Sequence, residues 1–133
     1  METAGHSNFS ILIVDDSEEL LDVLNIVLKQ QGHHVFAKTN PYLIRHFVQE
    51  NKIDLLLLDV IFGVDGKVDG REFCKELKSD PLTNYFPIIL MSVFHDNLIE
   101  FKDCGANDTI EKPFDLHELI VKINTCLHTE PAN

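Results

Sequence analysis

LLLLDVIFGVDGKVDG (residues 55–70) joins two kinds of chain that make opposite demands. Leu55–Leu58 is an unbroken apolar run of strand length, with no polar alternation to leave one face wet. It ends on the ionisable Asp59, and a stretch follows that carries Asp65 and Asp69 among Gly63, Gly66 and Gly70. A strand buried on both faces belongs to a parallel sheet with helices over each side, so this run predicts an α/β fold. In open sheets of that kind ligands bind beyond the carboxyl ends of the strands, which makes Asp59 the first candidate functional residue.

The rest of the chain repeats the pattern. Ile11–Val14 and Pro87–Val93 are apolar runs like the first, and His34–Lys38 and Thr109–Ile110 are weaker strands. Ser17 caps a helix in which Leu20, Leu21, Leu24, Val27 and Leu28 recur at helical spacing, with Gly32 closing it. Asn40-Pro41 starts a second helix with Leu43, Ile44, Phe47 and Val48 on its apolar face. A third covers Arg71–Lys78 with Phe73, Cys74 and Leu77 inward, and a fourth covers about 96–104 and stops at Gly105. Asp115 opens the last, where Leu116, Leu119, Ile120, Ile123 and Leu127 form a stripe. The chain therefore reads as five strand–helix units.

Composition narrows the function. At 133 residues, 44% of them hydrophobic, the chain holds one domain and one core. A net charge of −11 argues against direct nucleic-acid binding, which needs basic patches, and suits a cation or a basic protein partner. No apolar run approaches the ~20 residues of a membrane span, and no basic-then-apolar leader is present. A cytoplasmic protein without membrane partners is the expectation. Cys74, Cys104 and Cys126 form no CxxC pair and read as small buried hydrophobes.

Chemistry gathers at the strand ends. The first strand ends in Asp15-Asp16, the third in Asp59, the fourth in Ser92 and the fifth in Lys112. Carboxylates ~4 Å apart repel by about 4 kcal/mol per pair at an effective dielectric near 20. A hard divalent cation relieves that, and oxygen-only ligands suit Mg²⁺. With an ammonium and a hydroxyl added, the inventory is that of a site for a phosphoryl group.

On ILIVDDS (11–17), LLLLDV (55–60), DGREFCKEL (69–77), PIILMSV (87–93) and GANDTIEKPFDLHEL (105–119), the chain resembles the response-regulator receiver domains of two-component signalling, stand-alone chemotaxis-type receivers among them. The resemblance implies a flavodoxin-like, doubly wound, five-stranded parallel sheet of order 2-1-3-4-5 with five helices. It implies a receiver domain over 9–128, with 1–8 and 129–133 as short tails. It makes Asp59 the phosphoacceptor, taking a phosphoryl group from a histidine kinase or histidine phosphotransfer protein. Asp15, Asp16, Asp59 and the Ile61 backbone carbonyl would hold Mg²⁺, Ser92 would bond the phosphoryl oxygens, and Lys112 would pair with the phosphate. Output would pass to a downstream protein, or to a homodimer partner, through the fourth helix, fifth strand and fifth helix, about residues 95–128. Met1 and the polar tail read as a full-length protein without an output domain.

The sequence departs from the family at three places. About three residues are inserted before Gly70, so that Gly63–Val68 forms an expanded loop in which Asp65 or Asp69 could alter metal access or dock a partner. Thr109 stands where many members carry an aromatic residue that couples phosphorylation to the output face. Ile61 and Phe94 occupy positions that often modulate hydrolysis, and neither orients a water, so slow self-dephosphorylation is expected rather than enzymatic turnover. Two alternatives stand beside this reading. One is a degenerate, phosphorylation-independent docking module. The other is a Mg²⁺-dependent aspartyl-phosphate phosphohydrolase, which lacks a second acid at Ile61 and the chain for a cap domain.

Overall fold

The structure is a computed structural model and describes residues 8–128; of the expected tails at 1–8 and 129–133, all but residue 8 lies outside the described residues. The elements are β1 (Ser10–Val14), α1 (Glu18–Gln30), β2 (His34–Lys38), α2 (Ile44–Glu50), β3 (Leu55–Asp59), β4 (Ile61–Phe62), β5 (Val68–Asp69), α3 (Gly70–Lys78), β6 (Ile88–Ser92), β7 (Asp108–Glu111) and α4 (Leu116–Leu127). Short 3-10 turns cover Pro41–Leu43, His95–Leu98 and Phe101–Cys104.

Five strands form one parallel sheet in the order β2-β1-β3-β6-β7, the expected order once the short strands β4 and β5 are set aside. Two-sided burial follows from the alternation of side chains along each strand. Leu12, Val14, Leu56, Leu58, Ile88 and Leu90 face Ile44, Val48, Cys74 and Leu77 of α2 and α3. Their neighbours Ile11, Ile13, Leu55, Leu57, Ile89 and Met91 face Leu21, Leu24, Leu28, Leu119 and Ile123 of α1 and α4. Central strands with every residue buried thus need helices on both sides, and the sequence supplies them. Truncating one such residue, Leu57→Ala for example, removes packing worth about 2–5 kcal/mol.

The caps expected from sequence form. Ser17 Oγ accepts from the Leu20 N–H and Asp115 from His117, and Asp69 adds a cap not anticipated from sequence by accepting from Arg71. Asn40 caps the Pro41–Leu43 turn, and α2 proper begins only at Ile44.

One expected element is corrected. Among the described residues there are four α-helices, because the fourth expected helix is two 3-10 turns, His95–Leu98 and Phe101–Cys104. The two turns are separated at Glu100, whose φ of −105° and ψ of +43° lie outside the helical region, so no continuous helix spans the segment. Leu98 and Cys104 are buried and Phe101 packs against the same core. Gly105 ends the segment with φ +88°. A smaller correction concerns the cysteines: Cys74 and Cys104 are buried, but Cys126 is only partly so.

The expanded loop is also more ordered than its composition suggests. β4 and β5 pair antiparallel, Ile61 with Asp69 and Phe62 with Val68, as a small hairpin on the rim. Its turn needs backbone that side chains rarely adopt: Gly63 has φ +89° and Gly66 φ +66°. Asp65 closes an Asx turn by accepting from the Lys67 N–H at 3.2 Å.

Candidate functional site

β1 and β3 are adjacent and parallel, in register up to Val14 and Leu58, so Asp15 and Asp59 emerge side by side from the same end of the sheet. One ligand oxygen each from Asp15, Asp16 and Asp59 can be chosen within 4.8 Å of the others. β6 brings Ser92 to that end and β7 brings Lys112. Every side chain expected from sequence to act here is therefore delivered to one rim. The Ile61 carbonyl opens the hairpin two residues beyond Asp59.

Burial and charge set the electrostatics. Asp15 is fully buried and Asp59 is 5% exposed, whereas Asp16 faces solvent. Lys112 Nζ lies 2.5 Å from Asp15 Oδ2 and 3.3 Å from Asp59 Oδ1. Asp15 Oδ1 also accepts from the Ser17 N–H at 2.9 Å, so both of its oxygens are engaged. Asp59 fares worse: burial first, then the neighbouring Asp15 charge, pushes its carboxyl up to about 6 despite Lys112. The same two carboxylates hold the Lys112 ammonium above the usual lysine range against the pull of burial. One cation paired with two of three carboxylates leaves the rim short of positive charge.

That shortage is the test of fit for a metal. An oxygen-only cluster, partly buried and under-compensated, matches a hard divalent ion such as Mg²⁺, and the donor set present fits it.

Three further contributors shape the site, of which only Gly70 was visible in the sequence. Gly70 begins α3 directly against β3: its N–H donates to the Val60 carbonyl at 2.6 Å, and a Cβ there would overlap the Asp59 carbonyl oxygen. The hairpin reaches the acidic cluster itself, through the Gly63 N–H donating to Asp16 Oδ2 at 3.1 Å. Asn97 Nδ2 donates to Ser92 Oγ at 3.3 Å. The Asp-Gly pair at 69–70 was visible as a motif; the other two contacts depend on how the chain turns back. Neither Asp65 nor Asp69 joins the carboxylate cluster, since one makes the hairpin turn and the other caps α3. Ile61 packs against the core under Gly66, and Phe94 is largely exposed, its N–H donating to Ser92 Oγ.

A family model described as the response regulator receiver domain matches residues 11–124. The nisin biosynthesis regulatory protein NisR of Lactococcus lactis is 30% identical over 94% of this chain and 53% of its own length. The phosphate regulon transcriptional regulatory protein PhoB of Pseudomonas aeruginosa is 32% identical over 89% of this chain and 51% of its own. The chain thus spans about half the length of the curated relatives it matches. In three dimensions it is similar to a protein assigned as a response regulator from Chloroflexus aurantiacus. The TM-score is 0.84 and the identity 28%, covering 92% of this chain and all of the other.

Proposed function

We propose that this chain, which belongs to the response regulator receiver domain family, uses Asp59 as its phosphoacceptor and residues 9–128 as the switching unit. The observation that carries this is the convergence of Asp15, Asp16 and Asp59 within 4.8 Å, with Lys112 Nζ against two of them.

The donor is a phosphohistidine on a histidine kinase or histidine phosphotransfer protein. An Asp59 carboxylate oxygen attacks phosphorus, the new P–O bond forms as the P–N bond breaks, and the electron pair leaves with the donor imidazole. Lys112 neutralises charge on the transferred group, and the Ser92 hydroxyl donates to one of its oxygens. Asp15, Asp16, Asp59 and the Ile61 carbonyl would hold Mg²⁺, which supplies charge neutralisation for phosphoryl transfer when bound. Asp59 stays ionised more readily once the deficit of positive charge is met, which suits a nucleophile.

The output is a protein contact made by the 95–128 face, here the two 3-10 turns, β7 and α4, as a heterocomplex or a homodimer. No helix among the described residues is long and apolar enough to cross a membrane, and a cytoplasmic location is part of this reading. With Ile61 turned into the core and Phe94 apolar, no side chain at those positions orients a water, and the acyl phosphate turns over slowly.

Incubation with Mg²⁺ and acetyl phosphate, read by intact mass, tests the reading. One phosphoryl group should appear on the wild type and none on Asp59→Asn. Rapid multiple turnover would favour a hydrolase, and an unmodified wild type a phosphorylation-independent docking module.

A further inference from the structure

Ser92 is 1% exposed, and its hydroxyl is engaged on its acceptor side. The Phe94 N–H donates to Ser92 Oγ at 3.0 Å and the Asn97 side-chain amide donates at 3.3 Å. A serine hydroxyl has two lone pairs and one hydrogen. Both lone pairs are taken, so what Ser92 still offers is its O–H as a donor. The oxygens of an acyl phosphate accept hydrogen bonds. Asn97 therefore commits Ser92 to the polarity that a phosphoryl group requires.

Asn97 is itself held. Its backbone carbonyl accepts from Arg71 Nη1 at 3.4 Å, and its backbone N–H donates to the Phe94 carbonyl at 3.1 Å. Arg71 is fixed in turn by Asp69: Nε lies 3.0 and 3.1 Å from the two carboxylate oxygens, and Nη2 lies 2.6 Å from one of them. Such a fork leaves little rotational freedom, and the remaining edge of the guanidinium reaches Asn97. Burial alone would raise the Asp69 carboxyl, but its bonds to Arg71 hold it below the usual range, so it is a fixed anion. Asp69 lies on β5, the returning strand of the hairpin whose Gly63 N–H touches Asp16. One inserted element thus braces both a carboxylate of the acidic cluster and, through Arg71 and Asn97, the hydroxyl.

We propose that Asn97 is a positioning residue for phosphoryl recognition, holding Ser92 Oγ as a donor from a brace made of Arg71, Asp69 and the β4–β5 hairpin. The inference rests on Ser92 being the group that bonds the phosphoryl oxygens. The same link ties Ser92 to the His95–Leu98 turn, in a chain where Thr109 supplies no aromatic side chain for coupling.

The test measures beryllofluoride affinity, as a phosphoryl mimic, at saturating Mg²⁺. Mg²⁺ affinity alone and the denaturation midpoint are measured alongside. Asn97→Ala should weaken beryllofluoride about fivefold, the scale of one hydrogen bond. Asn97→Asp, which keeps the shape but removes the donor, should weaken it at least as much. Arg71→Gln should act in the same direction, and Mg²⁺ affinity should stay unchanged in all three. In a Ser92→Ala background the Asn97 effect should vanish. Full beryllofluoride affinity in both Asn97 variants would overturn the proposal, as would an undiminished loss in the Ser92→Ala background or a parallel loss of Mg²⁺ affinity. A wild type that binds Mg²⁺ but no beryllofluoride would overturn the receiver reading, and this inference with it.

Discussion

Replacing Asp59 with asparagine should make the metal-free protein more stable, although it destroys the proposed function. Burial and the Asp15 charge raise the Asp59 carboxyl from 3.8 to about 6 in the folded chain. In the unfolded chain it returns to the ordinary value, so the folded state carries an ionised Asp59 at a penalty. A shift of that size corresponds to about 3 kcal/mol at pH 7.5, a penalty that the neutral amide of Asp59→Asn does not incur. The sign fixes the pH window. The raised carboxyl binds its proton more tightly when folded, so stability from the protonated form is fully present below pH 3.8 and is lost as pH rises through 6. The advantage of Asp59→Asn should therefore be near 3 kcal/mol at pH 7.5 and shrink towards zero near pH 4. Urea denaturation in EDTA at a series of pH values measures it, provided the slope on denaturant is the same for both proteins. A variant no more stable than wild type at pH 7.5, or an advantage that grows on acidification, would refute the reasoning.

Mg²⁺ should act in the opposite sense. Bound to the folded rim and not to the unfolded chain, it should stabilise wild type by about 2.7 kcal/mol at a hundred times its dissociation constant, and Asp16→Ala should lose that response in a thermal melt. Gly70→Ala places a methyl group on the Asp59 carbonyl oxygen, which forces α3 away from β3. It should cost about 2–3 kcal/mol and slow phosphorylation, read by denaturation and by acetyl phosphate labelling. Phe94→Glu puts a hydrogen-bonding side chain two residues beyond Ser92 and should speed loss of the phosphoryl group about tenfold, followed by intact mass after donor removal. An unchanged rate would remove Phe94 from the account.

What the sequence makes legible follows from what each residue must satisfy. Leu55–Leu58, Ile11–Val14 and Ile88–Met91 can be read because a continuous apolar run has one stable home, a central parallel strand. Asp15, Asp16, Asp59, Ser92 and Lys112 can be read because sheet order places all strand ends together. The hairpin could not: its strands are two residues each, and its order comes from a pairing between Ile61 and Asp69 that no periodicity announces. Main-chain donors such as the Gly63 N–H have no sequence signature at all. The segment after Ser92 misleads because Leu98, Phe101 and Cys104 fit an α-helical face as well as the two short turns that form, and nothing in the sequence marks the break at Glu100. Asn97 was hidden for the same reason, since only the tight turn returns its amide to Ser92.

Everything proposed for the site turns on Asp59 being the residue that receives phosphorus. Borohydride reduces an acyl phosphate on aspartate to homoserine, so phosphorylation with acetyl phosphate and Mg²⁺, reductive trapping and peptide sequencing locate the modified side chain. Homoserine should appear at position 59 and at no other acidic residue. Trapping at Asp15, Asp16 or Asp65, or no trapped residue in a protein that has gained a phosphoryl group, would contradict it.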